Sequence, residues 1–242
     1  MADIRAIIFD KDGTLFDFEA TWSAWARSLL LDLAAGDSDR AERLGEAIGF
    51  DFARSRFAES SLVIAGTPGE IAEALLPHVP GASPLTLVAR MNALAAVAPQ
   101  AEAVPLAPLL GTLRGQGLRL GVATNDAEGP ARAHLDTAGV LGMFDFIAGF
   151  DSGHGAKPAP GQLLAFAEQM GLRPAEVAMV GDSRHDLHAA RAAGMAAVAV
   201  LSGIAGSAEL QPYADVVLPD IGHLPGWLSA GRGETQAAET AA

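Results

Sequence analysis

The chain has 242 residues, with 16 Lys plus Arg against 29 Asp plus Glu and a formal net charge of −13, which argues against binding nucleic acid or an anionic membrane through basic side chains. Cysteine is absent, so disulfides, thiolate nucleophiles and Cys-ligated metal centres are excluded. Half of the residues are hydrophobic and 19% are charged, a globular composition with enough apolar material for a sizeable core.

The start, Met1-Ala2-Asp3-Ile4-Arg5, runs directly into an apolar segment without the basic stretch and long apolar core of a secretory signal, and no apolar run is long enough to span a bilayer. A soluble cytoplasmic protein, monomer or homodimer, is expected. Ala6–Phe9 reads as a buried strand that stops at Asp10-Lys11-Asp12-Gly13-Thr14. Asp10 and Asp12 lie two apart at its exit, where the strand period lets alternate side chains face one side. Such a pair can divide into nucleophile and proton carrier, or can simply form an acidic turn closed by Gly13.

Residues 17–99 break from strand periodicity. Helical patterns cover Phe18–Leu33, 38–48, 68–76 and 85–97, with Pro77, Pro80, Gly81 and Pro84 marking a break, and no segment reads as a strand. The stretch is expected to be a helical insertion, with 99–108 as the return linker. Trp22, Trp25 and Phe57 read as helix-packing aromatics rather than a substrate wall. Arg54 and Arg56 form a close pair that could read a carboxylate or second phosphate of a substrate, or lie on a solvated face.

From residue 105 onward, helical patterns at 105–114, 130–138, 160–170 and Arg184–Ala193 alternate with short apolar runs at 118–123, 177–180, 196–201 and 214–218. Alternation of this kind predicts parallel βαβ units: an α/β fold with a doubly wound parallel sheet of Rossmann type, built from 1–16 and 100–230, carrying the 17–99 insertion. Residues 231–242 are small and polar and read as a flexible tail.

Ligands of an open α/β sheet sit beyond the carboxyl ends of its strands, and the polar clusters fall at those ends. Thr124, followed by Asn125 and Asp126, offers a hydroxyl and backbone N–H groups suited to a phosphoryl oxygen, although Thr-Asn-Asp is also a common turn. Lys157 is one of two lysines in the chain and is flanked by Gly155, Pro158 and Pro160; its ammonium could neutralise a phosphate, or be a solvated surface charge. Asp182 and Asp186 lie four apart at a helix start and so are expected to share one helix face, where a few carboxylates completed by water and substrate oxygens suit Mg²⁺. Helix capping by Asp182 would account for one of them. His185 and His188 read as helix-surface residues, with a transition-metal pair the lesser alternative.

Taken together, Asp10-Lys11-Asp12-Gly13-Thr14-Leu15, Thr124, Lys157 and Gly181-Asp182-Ser183-x-x-Asp186 resemble the motif set of the haloacid dehalogenase-like hydrolase superfamily. The insertion is similar to the helical cap of its branch with phosphoglycolate phosphatases and β-phosphoglucomutases. The resemblance implies a phosphatase acting on a small phosphorylated metabolite, phosphoglycolate-like or a sugar phosphate. It implies Asp10 as nucleophile forming an aspartyl-phosphate, Asp12 as acid and base, and Thr124, Asn125 and Lys157 around the phosphoryl group. It further implies Mg²⁺ held by Asp10, the Asp12 carbonyl, Asp182 and Asp186, and a cap closing about hinges near 16–18 and 99–105. A phosphomutase shares this core, and a receiver-like phosphoacceptor module is a more distant alternative. A dehalogenase is disfavoured because Asp12 is present. Phe18, where many relatives carry Ser, and His154 depart from the pattern.

Overall fold

The computed structural model describes residues 3–58 and 60–230, so the tail expected at 231–242 lies outside the described residues. After β1 (Ala6–Phe9) comes a helical segment: α1 (Phe18–Leu33), α2 (Ser38–Ala47), a short antiparallel hairpin of β2 (Phe50–Asp51) and β3 (Arg56–Phe57), α3 (Pro68–Leu75) and α4 (Pro84–Ala95). There follow α5 (Leu106–Gly115), β4 (Arg119–Ala123), α6 (Glu128–Thr137), β5 (Phe146–Ala148) and α7 (Gly161–Met170). The described chain continues through β6 (Val177–Gly181), α8 (Arg184–Ala193), β7 (Ala196–Val200), the single turn α9 (Ser207–Leu210) and β8 (Val216–Leu218).

Six strands form one sheet in the order β5-β4-β1-β6-β7-β8, and every pairing is parallel. The doubly wound α/β architecture expected from the alternation is present. β1 lies at the centre, with Phe9 level with Val122 of β4 on one side and Val180 of β6 on the other. That register brings the exits of three strands, and hence Asp10, Thr124 and Asp182, to one edge. All four β1 residues are fully buried. Ile7 and Phe9 join one apolar cluster while Ala6 and Ile8 join the other, as period-two geometry requires of a strand covered by helices on both faces.

The differences from the expected elements have simple causes. β5 is a three-residue edge strand and α9 a four-residue turn, too short to carry a periodic pattern. In the helical segment, where no strand was expected, β2 and β3 contribute two residues each, joined through Ser55 at φ 52°. α6 also starts before Pro130, which sits within its first turn, where a missing N–H costs nothing.

The helical segment packs about its own buried cluster, including Phe18, Trp22, Trp25, Leu29, Ile71 and Met91. Its outgoing and returning chains run side by side. Asp17 N donates to Ala101 O at 2.8 Å, and Ala103 N donates to Leu15 O at 2.9 Å. Among the described residues no helix is long and apolar enough to cross a membrane.

Candidate active site

β1 ends in a tight turn that separates three consecutive side chains. Asp10 and Asp12 both line a cavity between the sheet edge and the helical segment, whereas Lys11 points the other way and is fully buried. Gly13 holds the turn at φ 76°, a conformation that costs a side-chain-bearing residue energy, and a Cβ there would overlap the Asp182 carboxylate. A Cβ at Gly203, in the loop after β7, would overlap the same carboxylate from another side.

Lys157 Nζ lies 2.8 Å from Asp10 Oδ1 and 2.6 Å from Asp186 Oδ1, with the lysine side chain 2% exposed. Asp186 is also held at its other oxygen, which accepts Ser183 N at 3.0 Å and Ser183 Oγ at 2.7 Å. Ser183, not Asp182, is thus the residue that caps α8. This frees Asp182, and carboxylate oxygens of Asp10, Asp182 and Asp186 come within 4.8 Å of one another. The spacing of Asp182 and Asp186 therefore works through a loop and a first helical turn, not through one helix face.

Two of these carboxylates, Asp10 and Asp186, share one ammonium, with Asp182 buried beside them. Burial pushes the Asp10 carboxyl up to about 7, against the lowering effect of Lys157 and with the help of Asp186 and Asp12. Asp182 is raised well above the usual carboxylate range by burial, then by Asp10 and Asp186. Lys157 is held firmly protonated: burial opposes its charge, but Asp10 and Asp186 outweigh it. Surplus negative charge on hard oxygen donors is the arrangement a divalent cation would relieve, so the cluster could bind a metal. The Asp12 carboxylate is not part of it, because it faces Lys11 Nζ at 2.8 Å.

Beyond β4, Thr124 is buried; its Oγ1 accepts Asp126 N at 3.1 Å, and its carbonyl accepts Gln162 Nε2 at 3.1 Å. Asn125 lines the cavity with its amide fully engaged. Its Oδ1 accepts Lys157 N at 2.8 Å, and its Nδ2 donates to Lys157 O and to Ala65 O, each at 2.8 Å. Its place is to tie the Lys157 loop and the helical segment to β4.

The residues that sequence reasoning passed over lie behind Asp12. Lys11 Nζ is 3.2 Å from Asp126 Oδ2, 2.9 Å from His134 Nδ1 and 5.4 Å from the centroid of a Trp22 ring. Burial pushes Asp126 up to about 6 although Lys11 lowers it. His134 falls to about 4 through burial and the Lys11 charge. Strand parity was the available signal: residue 11 continues the 7, 9 face, opposite to 10 and 12.

The cavity contains about 590 Å³ between atoms, including what lies open at its mouth. Trp22 and Trp25 line it while also packing α1, which corrects their reading as packing residues alone; Phe18 lines it too, and Phe57 stays within the segment's own core. Arg54 and Arg56 are absent from its lining. The hairpin turns both outward, leaving the Arg54 side chain 81% exposed and paired with Asp51 at 3.0 Å. His154 packs on Phe146, His188 packs on Tyr213 with the rings tilted at 57°, and His185 lines the cavity.

Residues 4–194 match the family model of haloacid dehalogenase-like hydrolases. Over 233 residues, 93% of this chain and 90% of that protein, the chain is 35% identical to the phosphoglycolate phosphatase of Rhodospirillum rubrum. Among solved structures it is similar to a predicted phosphoglycolate phosphatase from Haemophilus somnus, with a TM-score of 0.72 and 19% identity over 93% of this chain and 98% of that one. A HAD phosphatase from Thermococcus onnurineus gives a TM-score of 0.66 and 23% identity over 93% and 98%. At those identities the two structures speak to the fold alone.

Proposed function

The chain belongs to the haloacid dehalogenase-like hydrolase family and is a phosphatase, and we propose that it hydrolyses a small phosphomonoester with Mg²⁺ through an aspartyl-phosphate. The observation that carries this reading is the convergence on one ammonium, Lys157, of two carboxylates, Asp10 and Asp186, with Asp182 within reach of both.

In this reading Asp10, Asp182 and Asp186, with the Asp12 carbonyl, hold the cation. When bound, it would offset phosphoryl charge and the surplus of carboxylates as a Lewis acid. Asp10 attacks phosphorus; the new Asp10 O–P bond forms as the bond to the alcohol oxygen breaks, and Asp12 gives that alkoxide its proton. Asp12 then takes a proton from water as the water oxygen attacks phosphorus, releasing inorganic phosphate and restoring Asp10. Lys157 favours the ionised form of Asp10 and balances charge on the intermediate. Thr124 uses its oxygen to accept Asp126 N, which leaves its hydroxyl proton for a phosphoryl oxygen. Catalysis is then largely positioning and charge balance, the usual division of labour in phosphoryl transfer.

The helical segment serves as a cap over this site, and the hydrogen-bonded chain segments at 15–17 and 101–103 form its hinge. The test is phosphate release from nitrophenyl phosphate with and without Mg²⁺, using the wild-type protein and Asp10→Asn. Metal-dependent release by the first and none by the second is expected; release by both overturns Asp10 as the nucleophile.

A further inference from the structure

The part of the cavity that the helical segment contributes is apolar except for Asn92 of α4. Phe18, Trp22 and Trp25 come from α1, Ile71 from α3, Met91 from α4, and Val63 from the loop between β3 and α3. The aromatic wall is braced from behind. Trp25 Nε1 donates to Met91 O at 3.1 Å, and the Trp22 and Trp25 rings meet edge to face at 5.0 Å. Rigid aromatics that need no rearrangement to present an apolar surface are well suited to a hydrophobic group.

The charges around the cavity point the same way. No Lys or Arg of the described helical segment lines it. Its one ammonium, Lys157, is already shared by Asp10 and Asp186. Asp10, Asp12, Asp126 and Asp186 all line it. A second anionic group on the substrate, beyond the phosphate, would lose hydration among acids, hydrocarbon and a few neutral polar side chains, with no Lys or Arg left to pair with it. His185 lines it as well, and also lines a neighbouring cleft that includes Arg184 and Glu209.

We propose that the alcohol half of the phosphomonoester is uncharged and apolar, an aromatic or branched aliphatic alcohol, with Trp22, Trp25, Ile71 and Met91 as the residues that select it. This rests on the phosphatase reading and narrows its substrate class. It separates this chain from what the name of its Rhodospirillum rubrum relative says, since phosphoglycolate carries a carboxylate.

The experiment is steady-state kinetics of the full chain with Mg²⁺ on benzyl phosphate, isoamyl phosphate, phosphoglycolate and glycerol phosphate, whose alkoxides leave with comparable ease. The expected result is a kcat/KM for the benzyl and isoamyl esters at least about tenfold above the other two, since each buried methylene contributes on the order of a threefold to fourfold preference. Ile71→Arg should reverse the order by giving a carboxylate a partner. Inhibition of the wild-type protein by benzylphosphonate and by phosphonoacetate tests the same preference without a substitution, and the former should bind tighter. A preference for phosphoglycolate, or tighter binding of phosphonoacetate, overturns the inference while leaving the phosphatase reading in place. No hydrolysis even of nitrophenyl phosphate would overturn that reading, and the inference with it.

Discussion

Lys11 Nζ lies 2.9 Å from His134 Nδ1, and His134 Nε2 lies 2.6 Å from the carbonyl of Ala95, the last residue of α4. An ammonium can only donate, so Nδ1 accepts and the neutral ring donates from Nε2 to the carbonyl. One imidazole thereby links the residue between the two motif aspartates to the end of the helical segment. Lys11 in turn grips Asp12 at 2.8 Å, so the position of α4 bears on the orientation of the carboxylate proposed as proton carrier.

Removing the cation from this group should be costly. Lys11→Met leaves Asp126 and Asp12 facing each other without a counter-charge, and loss of one partner from a buried ion pair destabilises by about 3–5 kcal/mol. Equilibrium denaturation in urea at neutral pH is the measurement, and a loss below about 1 kcal/mol would count against a charged Lys11.

The same imidazole predicts an acid response. His134 titrates at about 4 in the folded protein against 6.5 for the ordinary residue. Between those values the unfolded chain binds a proton that the folded one refuses, so this group's stabilisation is present above 6.5 and is lost as pH falls toward 4. Asp126, raised to about 6, acts in the opposite sense over part of that window. The comparison is therefore between wild type and His134→Gln, which keeps a donor and an acceptor. Melting temperatures should converge as pH drops from 7 to 4 if the wild type has the higher value at neutral pH, because only its histidine is lost to protonation.

Asp10→Asn should abolish turnover while leaving the fold intact. The substitution removes a buried carboxyl that burial disfavours as an anion, so the metal-free variant is expected to melt no lower than wild type. Circular dichroism with phosphate release checks both halves at once.

Cation binding should compete with protons. With Asp10 raised to about 7 and Asp182 raised well above the ordinary range, the metal-free cluster holds protons near neutrality. A cation favours the ionised carboxylates, so Mg²⁺ affinity should weaken as pH falls below about 7, with proton release on binding. Calorimetric titration in buffers of different ionisation enthalpy measures both, and a chelator should stop turnover reversibly. Unchanged affinity between pH 5.5 and 8 would remove the raised carboxylates from the site.

Asn125→Ala tests whether that amide positions or binds. Its three hydrogen bonds hold the Lys157 loop and Ala65. Truncation should cost about 1–3 kcal/mol in stability and lower kcat by up to about a hundredfold through misplacement of Lys157. A rise in KM alone, with kcat unchanged, would identify Asn125 as a substrate contact instead.

Much of this site is visible in the order of residues along the chain. A short Ile-rich run that stops at two aspartates can hardly be anything but a buried strand with its polar exit at a sheet edge. Further runs ending at Thr124 and at Gly181-Asp182 imply parallel neighbours whose exits coincide. The β1 register with β4 and β6 is the physical form of that inference. Local pattern also carries the helical segment, since its apolar spacing has no other use. What it could not carry were contacts made across long separations. Lys11 and His134 stand 123 residues apart, and a buried ammonium has no sequence signature beyond strand parity. Arg54 and Arg56 look available in the sequence, yet a hairpin of two-residue strands turns them to solvent. Trp22 and Trp25 look like packing residues, yet one face of α1 serves both the segment's core and the cavity. Periodicity and strand-end chemistry thus determined by themselves the fold and the convergence of Asp10, Lys157, Asp182 and Asp186 at one sheet edge. Which side chains wall the cavity, which charges are paired and which remain available were decided by packing, because those are relations between surfaces that meet only after the chain has folded.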